Sequence, residues 1–138
     1  MNGFALHPQL EADTHRVGDL DFTRVLLMDD ARFPWLILVP RAPDLRELTD
    51  LSLDDQHRLL DEINRVAHVL HAIARPDKLN IAMLGNMVAQ LHVHVIARFT
   101  ADEAWPKPVW GIGARMAYDS DALRERMDAL RAGLQPVA

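Results

Sequence analysis

Gln90-Leu91-His92-Val93-His94-Val95-Ile96 constrains the fold more than any other stretch, because apolar residues alternate with polar, proton-handling ones. A period of two is the spacing of a β-strand, whose successive side chains point to opposite faces. Gln90, His92 and His94 therefore share one face, and Leu91, Val93 and Val95 share the other. The apolar face needs a core to pack on. The histidine face is expected to be exposed and to carry chemistry.

Composition bounds what surrounds this strand. With 138 residues, 49% hydrophobic and 25% charged, the chain is long enough to enclose one core. No repeat, low-complexity tract or flexible linker divides it, so residues 1–138 are expected to form a single domain. A formal charge of −5, with both signs mixed along the chain, argues against a nucleic-acid polymer or an anionic membrane as partner. A small anion in a local pocket remains compatible with it. The absence of cysteine excludes disulfides, a thiolate nucleophile and Cys-type zinc sites, and fits a reducing compartment. Met1-Asn2-Gly3-Phe4-Ala5-Leu6-His7 carries no basic segment leading into a long apolar run, so no leader or membrane span is read there. The expected location is the cytoplasm.

Strands dominate the first third. Val25-Leu26-Leu27-Met28 and Trp35-Leu36-Ile37-Leu38-Val39 flank the turn-like Asp29-Asp30-Ala31-Arg32, which predicts a β-hairpin ended by Pro40 and Pro43. Residues 8–16 are read as a short helix. Ser52 with Asp55 three residues later opens a long helix, whose stripe runs Leu59, Leu60, Ile63, Val66, Ala67, Leu70, Ile73 and Ala74. Arg75-Pro76 ends it, since proline disfavours helical geometry in the residue before it. Two further strands are expected over 79–84 and 91–99, joined by a loop holding Gly85-Asn86. Trp105-Pro106-Lys107-Pro108-Val109-Trp110 cannot be regular throughout. A last helix is predicted over about 120–132, with Leu123, Met127 and Leu130 inward. Elements segregated in this way predict an α+β fold, an antiparallel sheet with helices on one side.

The histidine strand suggests phosphorus chemistry on its own. A neutral imidazole is a competent nucleophile near pH 7, since its reference pKa of ~6.5 leaves one nitrogen free. Attack on phosphorus gives a phosphohistidine. A second imidazole two residues along can donate a hydrogen bond to a phosphate oxygen, and the Gln90 amide can do the same. Backbone N–H groups around Gly85 and Asn86 can hold the same phosphate.

This arrangement resembles the histidine-triad (HIT) family of nucleotide hydrolases and transferases, whose signature is three histidines alternating with apolar residues. His92 and His94 occupy the last two histidine positions, Val95-Ile96 the apolar ending, and Gln90 the first position. Asn80-Ile81 before the glycine loop, the Ala97-Arg98 exit and the 36–41 strand leading through Leu48 to the long helix are also similar. The resemblance implies a HIT-like antiparallel sheet with one long and one C-terminal helix. It implies that His92 attacks the α-phosphate of a nucleotide to form a nucleotidyl-histidine, which water cleaves, while His94 steadies the developing charge. A main-chain carbonyl from the first motif position, here Gln90, would orient the nucleophilic ring. Asp29 would hold the ribose hydroxyls, Asn80 and Asn86 would line the pocket, and a homodimer would join two sheets edge to edge. No cofactor is implied.

Three departures from the family pattern remove proton-handling capacity. Gln90 cannot shuttle a proton, Trp35 stands where a further histidine is usual, and Met87 stands where many members have a serine or threonine. Since general acid–base assistance is typically worth about 10²–10⁴-fold, poor leaving groups such as amines would suffer most. A nucleotide-binding protein with weak or no catalysis is the alternative reading. The family's uridylyltransferase branch has only two histidines and a glutamine on this strand, so the full triad is not obligatory.

Other residues carry competing readings. Alternating strand histidines can share a metal ion, but no third ligand is evident, so no metal is expected. His57, His68 and His71 are read as surface residues of the long helix, and Trp35 as a packing residue. Arg98 at the strand exit is a candidate phosphate contact. The Trp105 to Trp110 passage either seals a core or interface, or walls a nucleobase with Trp105.

Overall fold

The computed structural model describes residues 3–137. Met1 and Asn2, part of the stretch read as free of a leader, and Ala138, the end of the expected 1–138 unit, lie outside it. In chain order the elements are α1 (Pro8–Asp13), β1 (Thr14–Asp19), β2 (Thr23–Met28), β3 (Trp35–Pro40), α2 (Leu53–Ala74), β4 (Lys78–Ala82), β5 (Val93–Arg98) and α3 (Ser120–Leu134). A short 3₁₀ turn, Leu48–Asp50, precedes α2.

All pairings are antiparallel, in the order β1-β2-β3-β5-β4. The expected hairpin is β2–β3, and β5 inserts between β3 and β4. Its register puts His94 opposite Ile37 on one side and Ala82 on the other, in the middle of the sheet. Every residue of β3 and β5 is buried. The fold is α+β.

Capping explains where the helices begin and end. The Ser52 hydroxyl accepts from the Asp55 N–H at 3.1 Å, satisfying one of the free donors of the first turn of α2. Arg75 closes that helix in the left-handed conformation, with its N–H bonded to the His71 carbonyl. Asp119 caps α3 in the same manner as Ser52, accepting from Ala122 N–H at 2.8 Å.

Each sheet face has its own core. Leu36, Leu38, Val93 and Val95 pack under α2 and α3 against Leu59, Val66, Leu70 and Leu130. Leu26, Trp35, Ile37 and Ile96 pack on the opposite face against Leu10 from α1, Phe33, Ala104 and Val109. At about 1.5–3 kcal/mol for each large side chain removed from water, this second core contributes to stability as the first does. The histidine face is therefore covered, not exposed as expected: His92 and His94 are 6% and 4% accessible.

Element boundaries differ from the sequence reading in four places. The 8–16 segment is helical only over Pro8–Asp13, and Thr14–Asp19 forms an edge strand that was not foreseen. Its sequence THRVGD lacks clean alternation because a bulge between Arg16 and Gly18 breaks the register. The strand expected over 79–84 is Lys78–Ala82, and that over 91–99 is Val93–Arg98. Beyond Ala82 the chain turns away through Gly85, whose φ of 78° favours glycine. The last helix runs to Leu134 because Leu134 is fully buried and extends the inward stripe. No helix among the described residues is long and apolar enough to cross a membrane.

Candidate active site

The two histidines differ in what holds them. His92 lies just before β5, and its Nδ1 is 2.6 Å from the main-chain oxygen of Gln90. A carbonyl only accepts, so the ring hydrogen sits on Nδ1 and Nε2 keeps its lone pair. His94 is oriented from across the sheet. The Trp35 indole N–H donates to its Nδ1 at 3.0 Å, which places the His94 hydrogen on Nε2. The site thus pairs an imidazole with a free Nε2 lone pair and one with an Nε2–H.

The rings lie 4.8 Å apart at 68°. Trp110 stands edge-on to His94 at 5.0 Å and to Trp35 at 5.7 Å, fixing the arrangement from the loop side. Burial pushes the pKa of His92 down, against the support that the Gln90 carbonyl gives the charged ring, and His7 adds to the lowering. Burial, reinforced by His92, pushes His94 down to about 3. Both rings are therefore neutral at pH 7.

Both histidines open into a cavity of ≈ 300 Å³. Leu10, Met28, Ile37, Val88 and Trp110 give it apolar walls, Gly85, Asn86 and Met87 close one side, and Asp13 is its acidic residue. A larger groove of ≈ 620 Å³ runs between β1 and α3, away from the histidines. Each of its arginines has a partner: Arg16 and Arg24 pair with Asp19, Arg124 lies 3.5 Å from Asp121, and Arg131 donates to the carbonyls of Arg16 and Val17. The smaller cavity combines apolar walls with the two paired imidazoles, and apolar walls with a few polar groups are the usual makeup of a small-molecule site.

Sequence comparison agrees with this geometry. The family model of the HIT domain matches residues 9–101. The chain belongs to the histidine-triad (HIT) family. Solved structures of histidine triad proteins superpose over nearly the whole chain. One from Bradyrhizobium japonicum is 49% identical, with a TM-score of 0.93 over 95% of this chain and 98% of its own. One from Sinorhizobium meliloti is 42% identical, with a TM-score of 0.94 over 97% and 99%. A third, from Marinobacter aquaeolei, is 41% identical, with a TM-score of 0.93 over 98% of each chain. Among curated proteins no match is found. HIT membership supports, in general terms, a nucleotide-binding hydrolase or transferase.

The positions expected from the HIT pattern separate into two groups. Gly85, Asn86, His92 and His94 come together around the cavity. Asp29 does not line it: its carboxylate accepts from the Tyr118 N–H at 3.0 Å and lies 3.1 Å from His15 Nε2. Strand alternation explains this, because Leu26 and Met28 face the site side of β2 and the next residue points away. Asn80 and Arg98 serve each other. The Arg98 guanidinium, 1% accessible, donates to Asn80 Oδ1, to both oxygens of Asp102 and to the Lys107 carbonyl. That network ties β4 and β5 to the following loop. Trp105 lies against Arg98, 5.7 Å from its guanidinium, while Trp110 supplies the aromatic wall.

Gln90 acts in two places. Its main-chain oxygen holds His92, whereas its side-chain amide accepts from His7 N–H at 2.8 Å and donates to the Ala5 carbonyl at 2.9 Å. The amide thus anchors the N-terminal segment that leads to Leu10 and Asp13. Trp35, read as a packing residue, is buried in the second core and also bonds His94. Asp13 does not follow from the sequence, since it sits at a helix end remote from the motif, and within the Trp105 to Trp110 passage it is Trp110, not Trp105, that lines the cavity. Among the described residues no group of three or more His, Asp or Glu could hold a metal ion.

Proposed function

We propose that this HIT protein binds a nucleotide in the cavity and hydrolyses or transfers its nucleotidyl group through a covalent bond to His92. The observation that carries this reading is the His92 Nδ1 contact with the Gln90 carbonyl, because it leaves Nε2 unprotonated and facing the cavity beside the His94 N–H. A buried neutral imidazole attacks without first losing a proton. As N–P bonding develops, positive charge spreads over the ring, and the Gln90 carbonyl stabilises it through Nδ1–H.

The remaining groups take matching parts. His94 Nε2–H donates to a phosphate oxygen, and the backbone at Gly85 and Asn86 closes around the same group. Leu10, Met28, Ile37 and Trp110 offer the apolar surface a nucleobase needs. Asp13, the acid that lines the cavity, takes the sugar hydroxyls in this reading in place of Asp29; its Oδ2 already accepts from Gln9 at 2.9 Å and its Oδ1 lies 3.4 Å from Arg115, so the sugar shares these oxygens with them. The homodimer expected of the family would use β4, an edge strand whose Ile81 is half exposed.

Binding without efficient catalysis is the second reading, favoured by the commitment of the Gln90 amide to Ala5 and His7. Calorimetry with nucleoside monophosphates, together with turnover of dinucleoside polyphosphates and nucleotide sugars, separates the two. Binding with turnover that disappears in His92→Ala supports the enzyme. Binding without turnover supports the second reading, and absence of binding contradicts both.

A further inference from the structure

We propose that Trp35 is a positioning residue that selects the substrate class: by holding His94 as a permanently neutral N–H donor, it restricts the site to phosphoanhydrides, whose leaving oxygen departs without a proton. This deepens the reading of His92 as nucleophile and rests on it.

The argument begins in the register of the sheet. Trp35 opens β3 opposite Ile96, on the same face as Ile37 and His94, so its indole reaches along the sheet to the imidazole. Trp35 is 5% accessible, and Trp110 packs edge-on against it, so the indole has little freedom to turn. Indole N–H is a donor only. At 3.0 Å from His94 Nδ1 it requires a lone pair there. Protonating Nδ1 would set two N–H groups against each other and place a cation in an apolar core. The titratable groups facing this ring are His92 and, in the same cavity, Asp13. The lowering of the His94 pKa to about 3 agrees with this geometry.

The consequence lies in where protons are. His92 Nε2 forms the N–P bond, the bond to the leaving group breaks, and its electron pair goes to the leaving atom. His92 Nδ1–H is directed at the Gln90 carbonyl, away from that atom. His94 Nε2–H can donate a hydrogen bond, but transferring its proton would leave an imidazolate. A phosphate or pyrophosphate oxygen leaves as a stable anion under these conditions. An amine leaving from a P–N bond needs a proton first, and neither ring has one to give. In the second step a water oxygen bonds phosphorus, the N–P electron pair returns to His92 Nε2, and the water proton passes to solvent.

Long-range proton–nitrogen NMR correlation on the full native chain reads the tautomer without any turnover. A single Nε2–H form of His94, untitrated between about pH 5 and 8, is the expected result. An Nδ1–H form, or titration near ~6.5, overturns the proposal. Trp35→Phe, which keeps an aromatic ring but removes the donor and part of the indole's volume, should shift the His94 titration upward. Trp35→His should raise phosphoramidate turnover relative to dinucleoside polyphosphate turnover by about 10²-fold, the low end of general-acid assistance. A ratio unchanged in both variants, with His94 still in its Nε2–H form, shows a purely structural tryptophan and overturns the proposal. Absence of turnover on every substrate, with the native tautomer as expected, instead overturns the nucleophile reading and the substrate selection with it.

Discussion

His92 Nδ1 lies 2.6 Å from the main-chain oxygen of Gln90, while the Gln90 side chain points to the N-terminal segment. The residue that replaces the first motif histidine therefore meets the nucleophile through its backbone carbonyl, a group that every residue type carries. Its side chain does a separate job.

Gln90→Ala is accordingly expected to keep the His92 contact and lose two hydrogen bonds to Ala5 and His7. At about 1 kcal/mol each the loss should be about 1–2 kcal/mol, read as a lower urea midpoint and faster amide exchange over the N-terminal segment. Turnover should fall far less than in His92→Ala. A loss as large as that of His92→Ala would place the amide in the chemistry.

Arg98 gives an expectation of the opposite kind. Its partner Asp102 is 4% accessible at the side chain, so Arg98→Ala would leave a buried carboxylate without its counter-charge. The cost should be about 3–5 kcal/mol in denaturant unfolding. Because the guanidinium is spent on Asp102, Asn80 and Lys107, nucleotide affinity of the remaining folded protein should change little. Reduced affinity at unchanged stability would mean that Arg98 contacts phosphate after all.

Stability should fall on mild acidification. Burial, with His92 beside it, pushes His94 down to about 3 in the folded chain against ~6.5 unfolded, so below ~6.5 the unfolded state takes up a proton that the folded state refuses. The slope is ~1.4 kcal/mol per pH unit between those limits, and the lowered His92 acts in the same direction. Asp102 belongs to a separate, lower window. Burial pushes its pKa up, but Arg98 and backbone donors outweigh this and hold it at about 2, so its stabilisation is full above ~3.9 and is lost as pH falls from there through about 2. Urea midpoints compared at about pH 7 and about pH 5 should show the histidine effect alone. Equal midpoints would contradict it.

Legibility in the sequence followed the range of the interaction. The Ser52 cap, the α2 stripe and the alternation at 90–96 are local patterns, and each reappears in the fold, except that Leu60, read as part of the stripe, points to solvent at 54% exposure. So does the cluster of Gly85, Asn86, His92 and His94, since a loop entering its own strand keeps them close. Contacts between distant segments were not legible. Trp35 and His94 are 59 positions apart, and Gln90 meets His7 and Ala5 across 83 and 85. Arg98 was misread for a different reason: an arginine at a strand exit looks free until the folded loop brings Asp102 back onto it. Edge strand β1 escaped notice because its bulge interrupts the period on which strand recognition depends.

Sugar recognition separates two aspartates. Asp13→Asn should weaken nucleoside monophosphate binding by about tenfold, the effect of losing a hydrogen bond to a charged acceptor. Asp29→Asn should leave that affinity nearly unchanged, because Asp29 lies outside the cavity lining, beside Tyr118 and His15. Calorimetry on both variants decides the assignment, and the reverse order of effects would return the role to Asp29.

Native protein and His92→Ala should be incubated with a dinucleoside polyphosphate labelled at the α-phosphate and quenched in alkali. Acid-labile label bound to the native chain and to Gln90→Ala, and absent from His92→Ala, is the expected result. Turnover without bound label in the native protein, or equal labelling of His92→Ala, would contradict a nucleotidyl-histidine at His92.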